Sequence, residues 1–100
     1  MFMLMTYDVE AKRTVIFRKI LRRYLIHEQY SVFTGDITEA VAIRLRRELS
    51  EVMIPGDRLT EITAANRKNV QITHLVKSDS GKGEVARQPD TRHQTDFSVL

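Results

Sequence analysis

The chain opens with a run of apolar residues, Phe2-Met3-Leu4-Met5-Thr6-Tyr7, that stops at Asp8. In an extended backbone Phe2, Leu4 and Thr6 point one way and Met3, Met5 and Tyr7 the other. Apolar residues on both sides predict a strand buried on both faces. From about Lys12 the period changes. Phe17, Ile20, Leu21 and Tyr24 recur at helical spacing, with Arg18, Lys19, Arg22 and Arg23 between them, which predicts an amphipathic helix with a basic flank. Residues 28–34, Glu-Gln-Tyr-Ser-Val-Phe-Thr, are rich in aromatic and β-branched types and read as one strand or a kinked pair, broken by Gly35 and Asp36. Asp36 or Thr38 can cap a second helix over roughly 38–53, with Val41, Leu45, Leu49 and Val52 as its stripe and Pro55-Gly56-Asp57 after it. Leu59–Ala64 and Val70–Lys77 read as two strands of a hairpin linked by Asn66-Arg67-Lys68-Asn69. Residues 78–96 are polar and hold Gly81, Gly83 and Pro89, as a linker would; Asp96-Phe97-Ser98-Val99-Leu100 turns apolar again and suggests a docking strand.

The order is β-α-β-α-β-β. Two helices on one face of a small antiparallel sheet make an α+β sandwich of the ferredoxin-like kind, with residues 1–77 as the domain and 78–100 as a polar linker and extra C-terminal strand. One layer of helices covers only one face of the first strand, so a second subunit is the economical cover for the other. With 100 residues there is room for a single compact domain, and a chain this short gains from a partner. No cysteine is present, which excludes disulfides, thiolate metal sites and a cysteine nucleophile. No apolar stretch is long enough to cross a bilayer, and the N-terminus lacks the basic segment of a signal peptide; a cytoplasmic protein without a membrane partner is expected.

Candidate chemistry is sparse. Asp8 emerges where an apolar strand ends. A carboxylate there can hold Mg²⁺ through water, cap the next helix or pair with Lys12 or Arg13; position alone favours the structural roles. A two-fold axis joining two Asp8 residues would make a metal site credible. His27, His74 and His93 lack ligand spacing, and His27 is expected at a helix end where the dipole favours a cation. Ser31 has no nucleophile motif around it, and Gly81-Lys82-Gly83 is no phosphate loop. The basic set is more informative. The net charge is +3, and Lys12, Arg13, Arg18, Lys19, Arg22 and Arg23 crowd the first helix, with Arg44, Arg46, Arg47, Arg67 and Lys68 further on. Guanidinium groups bind phosphate oxygens in a fork, so the arginines favour nucleic-acid backbone. No exposed aromatic platform is expected beside them, which points to duplex rather than stacked single strands.

Two motifs carry a resemblance. Tyr7-Asp8-Val9 closes the first strand, and Gln29-Tyr30-Ser31-Val32-Phe33-Thr34-Gly35 follows the first helix. In this order they resemble the small CRISPR-associated Cas2 (Cas-two) family, partner of the Cas-one integrase, over roughly residues 1–77. The resemblance implies a ferredoxin-like homodimer with Asp8 near its axis. It also implies a metal-dependent endonuclease on single-stranded RNA or double-stranded DNA. Asp8 would be catalytic residue and metal ligand for one or two Mg²⁺ ions shared across the axis, supported by Tyr7, Ser31 and Phe33. Lys12, Arg13, Arg18, Lys19, Arg22 and Arg23 would contact nucleic acid. In CRISPR spacer acquisition, part of antiviral defence, the dimer would also scaffold the Cas-one integrase on protospacer DNA, and residues 96–100 fit a strand crossing to a neighbour. The family's helix-to-strand turn often holds a glycine; here it is Tyr24-Leu25-Ile26-His27. The alternatives are a non-catalytic duplex-binding scaffold and a toxin-like ribonuclease of related fold.

Overall fold

The computed structural model describes residues 1–77 and 86–90. The chain divides into two compact units, Met1–Arg67 and Lys68–Leu100. The first holds β1 (Phe2–Asp8), α1 (Thr14–Arg22), β2 (Ile26–Gln29), β3 (Val32–Asp36), α2 (Glu39–Val52) and β4 (Arg58–Ala64). Its sheet is antiparallel, in the order β2-β3-β1-β4. The path is therefore βαββαβ with two helices packed on one face, the ferredoxin-like arrangement. The second unit contributes β5 (Thr73–Val76) and β6 (Ala86–Pro89), paired antiparallel with each other.

Two expected strand assignments change. The segment 28–34 is a hairpin: β2 and β3 fold back on each other through Tyr30 and Ser31, with an irregular register between His27 and Gln29. The expected hairpin of 59–64 with 70–77 does not form as drawn. β4 lies along the whole of β1, from Phe2 opposite Ala64 to Asp8 opposite Arg58, and β5 takes β6 instead. Residues Arg67–Asn69 form a 3₁₀ turn rather than a tight hairpin link. The physical reason lies in β1: an apolar central strand must satisfy backbone hydrogen bonds on both edges, and β3 and β4 each supply one. β6 falls inside the stretch that read as linker. The proposed docking strand 96–100 lies outside the described residues.

The core sits between the helices and one face of the sheet. Met3, Met5 and Phe33 from the strands meet Phe17, Ile20 and Leu21 of α1 and Ala42, Leu45 and Leu49 of α2, all buried. Leu25 fills the gap after α1, and Gly35 makes the space: a Cβ there would stand 2.8 Å from Leu25 Cδ2. The helix stripes match the periodicity of the sequence, and Thr38 caps α2 by accepting from the Val41 N–H. Arg46 of α2 clasps β4 with two bonds to Glu61, at 2.7 and 3.0 Å. The outer face of the sheet is different. Leu4 and Val32 are half-buried, and Ile62 is 60% exposed. No helix among the described residues is long and apolar enough to cross a membrane.

Leu45 is fully buried at the centre of this core. Leu45→Ala is expected to cost roughly 2–5 kcal/mol, read from the urea midpoint; a smaller loss would mean the helix layer can collapse onto the gap.

Candidate functional site

β1 ends at Asp8, on the face of the sheet away from the helices. Pairing sets its neighbours. Arg58, first residue of β4, stands opposite Asp8, and Thr60 stands opposite Thr6. These side chains, with Tyr7, line an open cleft of about 180 Å³. Both Asp8 and Arg58 are exposed, and neither forms an ion pair among the described residues. On the outer face of the sheet the cleft thus offers one carboxylate, two threonine hydroxyls and one guanidinium, all oxygen or nitrogen groups suited to phosphate chemistry.

A hydrogen-bond network fixes the turn that precedes Arg58. Arg13 reaches from the turn before α1 to Asp57, with Nη2 at 2.7 Å from Oδ2 and Nε at 3.3 Å from Oδ1. The same Nη2 donates to the Val52 carbonyl at 2.9 Å. Asp57 also accepts from the Ile54 N–H at 3.0 Å, closing the turn that leads into β4. The Arg13 guanidinium, helped by that N–H, holds the Asp57 carboxyl below its ordinary value, and Asp57 in turn raises Arg13. Arg13 Nη2 and Nε are thus engaged within the chain, on the turn that leads into β4.

The other side chains singled out in the sequence separate by role. Tyr7 packs between Phe17 and Phe33, ring centroids 6.1 Å away in each case, and Phe33 is fully buried. Of the two, Tyr7 also lines the cleft. Ser31 shares a hydrogen bond with Thr6, Oγ to Oγ1 at 3.0 Å, which ties the β2–β3 turn to the strand carrying Asp8. His27 is not at a helix end; it lies in β2, with its ring stacked on Phe33 at 4.4 Å. Arg22 donates to its Nδ1, so Nε2 carries the proton and donates to the Tyr30 carbonyl. His74, in the second unit, lies 3.5 Å from Asp90.

The basic residues do not act as a single set. Among the described residues Arg18 and Lys19 form no ion pair, Lys12 pairs with exposed Glu10, and Arg23 pairs with Glu48 at 3.0 Å. Arg46 is committed to Glu61, and Arg67 is buried over the Phe2 ring. Arg58 and Thr60 carry no local signal in the sequence, because only the β1–β4 pairing brings them to Asp8. The Tyr30 side chain is 90% exposed, so the chain does display an aromatic ring, contrary to expectation.

Comparison with known proteins gives a consistent result. Residues 1–71 match the family model described as CRISPR associated protein Cas2. The CRISPR-associated endoribonuclease Cas2 of Haloferax volcanii is 44% identical over 59 residues, covering 59% of this chain and 69% of that protein. A Cas2 endoribonuclease of Thermodesulfovibrio yellowstonii is 38% identical over 75 residues, 74% of this chain and 85% of that one. A solved structure described as Cas2 superposes with a TM-score of 0.70 at 27% identity, over 86% of this chain and 97% of the other. A hypothetical protein from Thermus thermophilus shares the fold, with a TM-score of 0.65 at 24% identity, over 89% and 96% of the two chains.

The Arg13–Asp57 bridge makes a pH prediction. Asp57 titrates lower folded than unfolded, so its contribution is complete above the ordinary value of 3.8 and disappears as pH falls through the folded value below it. Urea unfolding of wild type and Arg13→Gln from pH 2 to 7 should show the variant less stable at neutral pH and flatter below pH 4; parallel curves would remove the bridge from the stability of the turn.

Proposed function

This chain belongs to the Cas2 family of CRISPR-associated proteins, and on that premise we propose that it is a metal-dependent endonuclease working as a homodimer. The observation that carries the reading is Asp8, exposed at the end of the central strand and facing Arg58 across an open cleft. The relatives named as endoribonucleases support RNA as the first substrate to try. The fit to Mg²⁺ is sound in donor chemistry and short in number. The ion prefers hard oxygen ligands, keeps several waters and needs one or two carboxylates. One chain offers Asp8, with the Thr6 and Thr60 hydroxyls close by for bound water. A second copy would add its own Asp8. Leu4, Val32 and Ile62 on the same face of the sheet give that copy an apolar surface to cover.

Mg²⁺ would lower the pKa of a bound water and offset charge on the scissile phosphate. The residues of the chain do the rest. Asp8 would hold the ion in the cleft. Arg58 donates to a non-bridging phosphate oxygen and so fixes which phosphate meets Asp8. Arg13 and Asp57 fix the turn that precedes Arg58. Arg18, Lys19, Arg22 and Lys12 offer the neighbouring backbone their charge.

A scaffold role runs beside the chemistry. Arg18 and Lys19 on α1, with Arg44 and Arg47 exposed on α2, suit phosphates without sequence preference. The Cas-one integrase would be the protein partner, engaged through residues 96–100.

Cleavage of labelled single-stranded RNA and duplex DNA tests the reading. Asp8→Asn should lower metal-dependent cleavage at least 100-fold while leaving binding intact, and EDTA should abolish cleavage by wild type. Cleavage that survives both sinks the nuclease. Arg58→Ala should reduce kcat/KM about tenfold, the scale of a lost hydrogen bond to a charged group; unchanged kinetics would take Arg58 out of the site. Duplex affinity should fall steeply between 50 and 200 mM salt, linearly in a log–log plot, as expected for ~3–5 neutralised phosphates. A flat plot would count against backbone recognition.

A further inference from the structure

Tyr30 occupies a position that asks for glycine. It is the first residue of the two-residue turn between β2 and β3, and its φ is 41°. Hairpin turns with a positive φ favour glycine or asparagine, because a larger side chain clashes with the backbone there. Tyr30 is the one non-glycine residue of the described chain in this region. Burial gives nothing back: the side chain is 90% exposed, and its ring has no aromatic or cation partner among the described residues. A strained and unburied aromatic points to a role outside the stability of the fold.

The turn is also braced from three sides. His27 Nε2 donates to the Tyr30 carbonyl, while Arg22 holds the other ring nitrogen. The imidazole lies flat against buried Phe33, 9° from parallel. Ser31 is tied to Thr6. The ring is therefore presented from a fixed backbone. Its location follows from the pairing. Val32 stands opposite Thr6, so the turn lies at the end of the sheet where β1 runs on to Asp8.

We propose that Tyr30 is a stacking platform for an unpaired nucleobase of the strand whose phosphate lies between Asp8 and Arg58. The inference rests on the nuclease reading of that cleft and extends it. The ligand is a single-stranded RNA nucleotide, with the base held by the tyrosine face and the phosphate by the guanidinium. A duplex keeps its bases stacked on each other and gains nothing from the ring. Tyr30 thereby selects single strands in a protein whose cations are indifferent to strandedness. Stacking tolerates any base, because every base has a π face.

The test uses the full chain in EDTA, so that binding is read without cleavage. The probes are a single-stranded RNA carrying 2-aminopurine and a duplex DNA of equal length. Tyr30→Asn removes the ring and fits the positive φ, so it should fold with an unchanged or higher Tm. It is expected to bind the RNA on the order of tenfold more weakly and to lose the fluorescence quench that a stacked base shows. Tyr30→Phe should stay within about twofold of wild type in both readouts. Duplex binding should not change in either variant. Retained affinity and quench in Tyr30→Asn would overturn the proposal, as would equal losses for RNA and duplex. Unchanged RNA binding with a shift in sedimentation would assign the ring to protein contact instead. Wild type that quenches but never cleaves with Mg²⁺ would sink the nuclease and leave the platform standing. Wild type that cleaves with Asp8 dependence but shows no quench would do the opposite.

Discussion

Hydrogen bonding along both edges of β1 organises this molecule. The strand is paired to β3 on one side and to β4 on the other, so its register sets the register of the sheet. Its inward side chains, Met3 and Met5, anchor the core under both helices. Its outward side chains end in Asp8. A slip of β1 by one residue against both neighbours would exchange these faces and turn the carboxylate toward the core. The packing energy of Met3, Met5 and Phe33 therefore protects the position of a polar group that takes no part in packing. The cleft is built the same way: Arg58 and Thr60 reach it because β4 is held to β1 along its length.

The basic residues show how little composition says about role. Arg13 and Arg18 are close neighbours on the chain, with the same charge and chemistry. Arg13 is spent inside the protein on Asp57 and Val52, and Arg18 is not. Arg46 and Arg67 are likewise occupied, one by Glu61 and one over Phe2. The remaining cations form a thinner surface than a count of arginines suggests. Much of the positive charge holds turns and edges together, and the surface left over suits modest, salt-sensitive contact.

The local parts of the fold were legible in the sequence. The apolar run of β1 and the stripes Phe17-Ile20-Leu21 and Leu45-Leu49 follow from periodicity, and Thr38 could be read as a cap. The break at Tyr30-Ser31 was not legible as a tight turn, because neither residue is the glycine or asparagine that a positive φ favours. The partner of β4 was not legible either. Strand pairing is a non-local choice, and the polar link at 66–69 looked enough like a hairpin to suggest the wrong neighbour. For the same reason Asp8 could be singled out by its place at a strand end, while Arg58 could not. Whatever depended on period or capping could be read ahead; whatever depended on which strands meet could not.

The two rims of the sheet are unequal, and this bears on how the protein behaves in concentrated solution. β2 is four residues long with a broken register, a poor template for another strand. β4 is seven residues long and regular, and within its unit its outer row of N–H and C=O groups faces away from β1. Within this unit, β4 is therefore the better template of the two for a further strand. Arg58 and Glu61 put charge along it, one of the devices by which sheet edges are guarded against unwanted pairing.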